Sequence, residues 1–457
     1  MTLAKASSEL VSISTKDSAA CTRVLTRLKS EVLPVASTEE SFELFNESVV
    51  TTLLAIINDE LAFITIEGHR ESSVDILRGL LQRAFGQHKT YDEAKAFGIL
   101  QSLFQQCSHL FVRRMSRHDS SDNRGFHGTS MEPLEQSEHI RLSLVELMSE
   151  LGSYMIIHTN NVAMESIIIE ATAYICQTLA KHVFNDSYPD ILTASCTLAQ
   201  TLAKLSPAAI EKNATDLLLQ LVGNLFRNRR SKIRREAVET SCAIILCCQA
   251  GDTTSQSVEY ESLHSILLQG WEELIKMDTS VSVRVTVLNA VGMVAKQFDW
   301  KYSHSEEHTG KDIHQSMELT SFVESNVLSL LVLGASDGNT QAQESAIQQM
   351  ISTLNFGSHR RQESSVPWDV ISRYFQPVLE LILASCSLSS STCEGRVRSL
   401  EALQVFLSFA ITILDNSVMA NDPCLTLLPR MQAIVECLRM SILSEEKDVL
   451  QVGNDLA

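Results

Sequence analysis

Proline and glycine are scarce in this chain, 8 and 17 among 457 residues, and aromatic side chains make up only 6 %. Period-two alternation bounded by Gly or Asn-Gly turns is almost absent, so a parallel-sheet enzyme core is not expected. Long apolar runs are missing too. The longest, such as Val327 to Gly334, are far too short to cross a bilayer. The opening MTLAKASSELVSISTKDSAA lacks a charged-then-apolar signal pattern. A cytoplasmic location without membrane contact is expected. Positive charge is the minority sign, with 37 Lys and Arg against 55 Asp and Glu and a net charge of −18. Such a chain repels polyphosphate on average, and no nucleic-acid partner is expected.

The fingerprints of chemistry are missing as well. No P-loop, dinucleotide fingerprint or nucleophile elbow occurs. His304-Ser-Glu-Glu-His308 formally matches the H-x-x-E-H pattern of inverted zinc peptidases, with His314 as a possible extra ligand. It lies in a Lys/Ser/Thr/Gly stretch without the apolar helical face that would hold both histidines to one metal. The eleven cysteines include no CxxC pair; Cys247-Cys248 and the separated Cys386 and Cys393 lack the companions a zinc site needs. Cys176, Cys196 and Cys242 fall at apolar helical positions and read as reduced core thiols. The sequons at Asn46, Asn185 and Asn213 mean little in a cytosolic chain. The chain is therefore expected to be no enzyme and to hold no metal and no cofactor.

What is present is helical periodicity. Leu, Ala, Ser, Ile and Glu recur at three- and four-residue spacing, and the chain repeats itself. Asn228-Arg-Arg-Ser-Lys-Ile-Arg-Arg-Glu-Ala-Val matches Asp278-Thr-Ser-Val-Ser-Val-Arg-Val-Thr-Val-Leu at an offset of 50 residues, placing Asn228 over Asp278, Ile233 over Val283 and Arg234 over Arg284. The same frame takes in Asp186 with Ile191, 42 residues before Asn228, and more loosely Asp337, 59 residues after Asp278. Ile140-Arg141 and Val397-Arg398 extend the series outward. Each unit reads as a helix, a polar turn opened by Asp or Asn, and a second helix starting with an inward β-branched residue. The turn carboxylate suits exposed amides and the helix dipole. The arrangement resembles the HEAT repeat, and the fold class expected is an all-α, HEAT-like (ARM-type) solenoid of stacked antiparallel helix pairs. In that family the arginine after the β-branched residue bonds the turn Asp of a neighbouring repeat, so the resemblance implies a ladder through Arg234 and Arg284.

Six basic side chains fall within nine residues from Arg227 to Arg235. Arg227, Arg229, Arg230, Lys232 and Arg235 have no repeat-wide counterpart, and the turn after Asp278 reads Thr-Ser-Val-Ser, so the repeat does not require this charge. They are either a solvated turn beside acidic helices or a docking edge for an acidic protein partner. No aromatics interleave them, as nucleic-acid binding would favour.

The organisation read from the sequence is degenerate helical repeats over residues 1–115, with Phe42 to Ile66 and Ser73 to Phe85 as helical stretches, and a mobile polar loop over 116–138. A repeat array over 139–355 follows, carrying a polar insert at 301–317, then a polar linker over 356–367 and C-terminal helical repeats over 368–457. The Leu-rich stretches Val327 to Leu333 and Val378 to Leu383 read as repeat core. The ending SEEKDVLQVGNDLA has no polar capping helix, which fits a partial chain.

The runs AKHVFNDSYPDILTASCTLAQTLAK (180–204) and SKIRREAVETSCAII (231–245), preceded by EHIRLSLVEL (138–147), resemble consecutive repeats of the dynein axonemal assembly factor 5 family, also called HEAT repeat-containing protein 2, over about residues 135–300. The chain departs from that pattern at Leu192 and Thr193 and at Cys247-Cys248-Gln-Ala-Gly. The resemblance implies a non-catalytic cytoplasmic scaffold for preassembling axonemal dynein, with dynein chains, chaperones or other assembly factors as partners. Importin-type transport adaptors and tubulin-binding HEAT modules are the rival scaffolds, and a loop-based metallohydrolase at His304 and His308 is the enzymatic alternative.

Overall fold

In a computed structural model of the chain, the described residues are 3–13, 18–44, 48–60, 66–86, 93–116, 135–158, 166–249, 257–297, 327–353, 376–380, 382–384, 396–397, 399–404, 406–407 and 430–442. They contain helices and turns and no strand, and they form an all-α, HEAT-like solenoid fold. The chain divides into two compact units, Met1–Asn228 and Arg229–Ala457.

The first unit holds α1 (Leu3–Ile13), α2 (Ser18–Arg27), α3 (Thr38–Leu44), α4 (Ser48–Asn58), α5 (Glu67–Phe85), α6 (Glu93–Met115), α7 (Glu138–His158), α8 (Ser166–Lys181), α9 (Pro189–Leu205) and α10 (Pro207–Gln220). Helices α3, α5, α7 and α9 pack side by side in one layer, and α4, α6, α8 and α10 in the other. Period explains the layering. Along α7, Ile140, Leu144, Leu147, Met148, Leu151 and Met155 recur at helical spacing and are all buried. Each such side chain contributes about 1.5–3 kcal/mol on burial. Helix α9 is buried on more than one side, through Ile191, Leu192, Cys196, Leu198, Ala199 and Leu202. Ser195 is fully buried among them and is tolerated there because its hydroxyl donates to the Ile191 carbonyl at 2.6 Å. Pro189 and Pro207 each occupy the first turn of a helix, where a missing N–H leaves no orphan.

The stretch Phe42 to Ile66 is not one helix. Within it α4 ends at Asn58, and Asp59 follows with a φ of 63°, the left-handed conformation that stops a helix.

The second unit holds α11 (Ser231–Gln249), α12 (Ser257–Met277), α13 (Val281–Gln297), α14 (Ser329–Ala335), α15 (Thr340–Thr353) and α16 (Met431–Ile442). Helices α11, α13 and α15 form one layer, with α12 and α14 against it. Trp271 of α12 is fully buried and its indole N–H donates to the Ser241 hydroxyl of α11 at 3.3 Å. Val327, Leu328, Leu330 and Leu331 are buried, as are Val378, Leu379, Ile382 and Leu383, so both Leu-rich stretches lie in the core. The polar insert 301–317 and the linker 356–367 lie outside the described residues, as do Cys386, Cys393, Arg398 and the ending after Ile442.

Candidate functional site: a ladder of arginines and an exposed basic turn

The second helix of a repeat brings its fourth residue toward the turn that precedes the next second helix. Where that fourth residue is arginine and the turn holds a carboxylate, a two-pronged ion pair forms. In the second unit Arg234 donates through Nε and Nη2 to both carboxylate oxygens of Asp278, at 2.6 and 2.7 Å. Arg284 does the same to Asp337, at 2.6 and 3.0 Å. In the first unit Arg141 holds Asp186 at 3.0 and 3.3 Å, and Arg70 holds Glu135 at 2.9 and 3.1 Å. The carboxylate always stands three residues before its helix begins.

Each rung is locked from both ends. The carboxylate accepts the amide two residues ahead: Tyr188 N on Asp186, Ser280 N on Asp278, Asn339 N on Asp337 and Ser137 N on Glu135, at 2.8–3.2 Å. The third guanidinium nitrogen reaches back to a carbonyl of its own turn, as Arg234 does to Arg229 O at 3.2 Å and Arg284 to Asp278 O at 2.6 Å. A fork that meets two carboxylate oxygens and a carbonyl leaves few donors unmet, which is the condition for placing such a charge in a part-buried seam. The β-branched residue before each arginine points inward. Ile140, Ile233 and Val283 are buried, and so is Ile191.

Two features break the regularity. At α9 the fourth residue is the buried Leu192 instead of arginine, and the turn ahead carries Asn228 instead of a carboxylate, so charge is absent from both ends of that position. The boundary between the compact units then falls after Asn228. The Arg70–Glu135 rung, conversely, lies where no repeat signature is visible in the sequence. Its β-branched position is His69, fully buried with Nε2 2.7 Å from the Thr22 hydroxyl, and its carboxylate is a Glu that is 1 % exposed.

The basic turn is placed as follows. Arg227 ends the first unit's last turn and is exposed. Arg229, Arg230 and Lys232 are exposed in the second unit, Arg235 is half-buried, and Arg234 is committed to Asp278. Helix α11 thus begins with Lys232, Arg234 and Arg235 in or beside its first turn and no acidic residue there. Cations at a helix N-terminus oppose its dipole, at about 0.3–1 kcal/mol each when exposed. Further along α11, burial and the neighbouring Glu236 push the Glu239 carboxyl above its usual range, with Arg235 pulling the other way.

Among the described residues one group could approach a metal: Glu71 and Asp75 on α5 and His139 on α7, whose ligand atoms lie within 4.8 Å of one another. Asp75 is already engaged by the Lys29 ammonium. His304, His308 and His314 lie outside the described residues. The eight described cysteines are all free thiols, and Cys176, Cys196 and Cys242 are buried as expected; burial pushes the Cys242 thiol up to about 12.

Against known protein families, one segment matches. Residues 128–308 match the family described as dynein axonemal assembly factor 5-like, TPR repeats. This assembly-factor-like segment contains α7 to α13, two of the rungs and the whole basic turn, and it includes the 135–300 range over which the sequence resembles that family. Within it, arginine and carboxylate stand 45 residues apart at Arg141–Asp186 and 44 at Arg234–Asp278, the length of HEAT and armadillo repeats. No curated protein matches the chain. Among solved structures the chain is similar to importin beta in a polyethylene glycol condition, at 13 % identity over 99 % of this chain and 53 % of that one, TM-score 0.46. It is similar to yeast importin-beta (Kap95p) at 11 % identity, over 99 % and 51 % of the two chains, TM-score 0.40. A computationally designed armadillo repeat protein for modular peptide recognition shares 15 % identity over 59 % of this chain and 94 % of that one, TM-score 0.32. The chain spans about half the length of the importin chains it matches. No helix among the described residues is long and apolar enough to cross a membrane.

Proposed function

We propose that this repeat scaffold acts, without catalysis, in the cytoplasmic preassembly of axonemal dynein arms for cilia or flagella. Its partners on this reading are dynein chains together with chaperones or other assembly factors. The observation that carries the reading is the assembly-factor-like match across residues 128–308.

The basic turn is the docking edge on this reading, with Arg229, Arg230, Lys232 and Arg235 meeting acidic side chains of the partner and Arg227 beside them. Two features support it. The charges sit at a helix start that disfavours cations, and the neighbouring repeat makes the same turn without them. Charges of this kind speed encounter and select partners more than they add affinity, which apolar anchors supply.

The test is affinity purification of the tagged full chain from the cytoplasm of a ciliated or flagellated cell, with and without alanine at Arg229, Arg230 and Lys232. Recovery of axonemal dynein chains with chaperones, reduced at least severalfold by the triple substitution, is the expected result. Recovery of Ran and nuclear cargo, or of tubulin alone, overturns the assembly reading. Dynein recovery that ignores the substitution removes the basic turn from the interface.

A further inference from the structure

Arg114, in the last turn of α6, has a long ion pair to Glu135 where its neighbours have short ones. Its neighbours are matched. Arg70 forks onto Glu135, and Arg113 meets Glu60 at 2.9 Å on the surface. Arg114 is only 6 % exposed, and its Nη1 stands 3.8 Å from the Glu135 carboxylate, beyond hydrogen-bond reach. Its Nε and Nη2 are buried and have no hydrogen-bond partner.

Those two atoms are not an arbitrary pair. On a guanidinium, the Nε and Nη2 hydrogens point the same way and form the edge that receives two oxygens of one carboxylate or phosphate side by side, as Arg70, Arg141, Arg234 and Arg284 each use it here. A buried charged donor left without an acceptor is strongly disfavoured. Glu135 does not supply it: its oxygens accept from Arg70 and from the Ser137 amide, and neither meets the Arg114 Nε or Nη2. Asp59 acts on Arg114 through its charge alone, and burial holds the Arg114 pKa below the ordinary arginine value despite Glu135 and Asp59.

We infer that the Nε–Nη2 edge of Arg114 is a binding site for one carboxylate group, brought by a small organic acid or by an acidic side chain of a partner protein. A carboxylate fits better than a doubly charged phosphate. The ionised Glu135 stands beside the site, so a single negative charge with two oxygens meets the fork at the least repulsion. The site is independent of the basic turn and of the dynein reading.

The experiment titrates the full chain with sodium formate, and separately with the peptide acetyl-Gly-Asp-Gly-amide, against sodium chloride at matched ionic strength, reading heat and thermal midpoint. Saturable binding of formate beyond chloride is expected, weakened at least tenfold in Arg114→Met and unchanged in Arg113→Gln. If Arg114→Met does not fold, Arg114→Lys keeps the charge without the fork, and a loss of at least fivefold is expected. Binding of the peptide as well as formate assigns the site to a protein side chain; binding of formate alone assigns it to a small acid. A response no greater than that to chloride, a response retained by Arg114→Met or Arg114→Lys, or tighter binding of inorganic phosphate than of formate would overturn the inference.

Discussion

Removing both partners of the Arg234–Asp278 rung should cost little more than removing one. Asp278 is 2 % exposed and Arg234 13 %, so either charge left alone stays largely out of water. In Asp278→Ala the guanidinium loses both short bonds while the carbonyl of Arg229 remains; in Arg234→Met the Ser280 amide remains on the carboxylate. Breaking a buried pair from one side costs about 3–5 kcal/mol, and the residual bonds and partial exposure place each single variant near the lower figure, about 3. Arg234→Met with Asp278→Ala leaves no orphaned charge. Its loss should be about 3–4 kcal/mol, not the additive 6, which is a coupling of about 2–3 kcal/mol. With a urea slope of about 2–3 kcal/mol per molar, each single change lowers the midpoint by about 1–1.5 M, and the double variant barely further. Equilibrium urea unfolding followed by circular dichroism and by tryptophan fluorescence measures all four corners of the cycle. Single losses under about 1 kcal/mol, or a double loss equal to the sum of the singles, would show that the rung is a surface decoration and refute the account of the seam given above.

Two other outcomes test the packing. Burial lowers the His69 pKa below the ordinary 6.5, with a backbone bond from Ser18 opposing and Arg70 adding to it. The unfolded chain therefore binds this proton more readily than the folded one, so the stability it contributes is complete above pH 6.5 and is lost as pH falls through that value. His69→Gln, which can still meet Thr22, should flatten the fall in unfolding free energy between pH 7.5 and 5.5, and an unchanged slope would exclude this histidine. Glycine substitutions should go in opposite directions. A Cβ at Gly334 in α14 would come 2.2 Å from Leu288 in the core, so Gly334→Ala should destabilise by about 1–3 kcal/mol in thermal unfolding. A Cβ at Gly98 in α6 meets nothing within 4 Å, and Gly98→Ala should stabilise by about 0.5–1 kcal/mol. Equal signs for the two would contradict the packing.

The ladder was legible where its two ends kept both chemistry and spacing. Asn228 falls over Asp278 and Arg234 over Arg284 because a β-branched residue precedes each arginine and an Asn or Asp opens each unit. The Arg70–Glu135 rung escaped the same reading for physical reasons. Its buried position is filled by His69, which looks polar in a sequence but sits neutral against a hydroxyl, and Glu135 falls within a stretch that composition marks as a polar loop. Arg114 could not be found from sequence at all. Nothing in Leu-Phe-Val-Arg-Arg-Met distinguishes it from the exposed Arg113; only the burial of one and not the other does. The end of α4 was hidden for a similar reason, since Asp59 stops the helix by a backbone conformation and not by a proline or glycine.

The rungs also impose a sequence of events on a chain leaving the ribosome. Every arginine precedes its carboxylate, by 65, 45, 44 and 53 residues from the N-terminal rung onward. At about 5–20 residues per second, each guanidinium emerges several seconds before its acid exists. A repeat can therefore bury its apolar face against the one before it, but its charged seam stays open until the next turn is synthesised. Closure advances one repeat behind the growing end, and a nascent chain halted between Arg234 and Asp278 would present that guanidinium to whatever acid its surroundings offer.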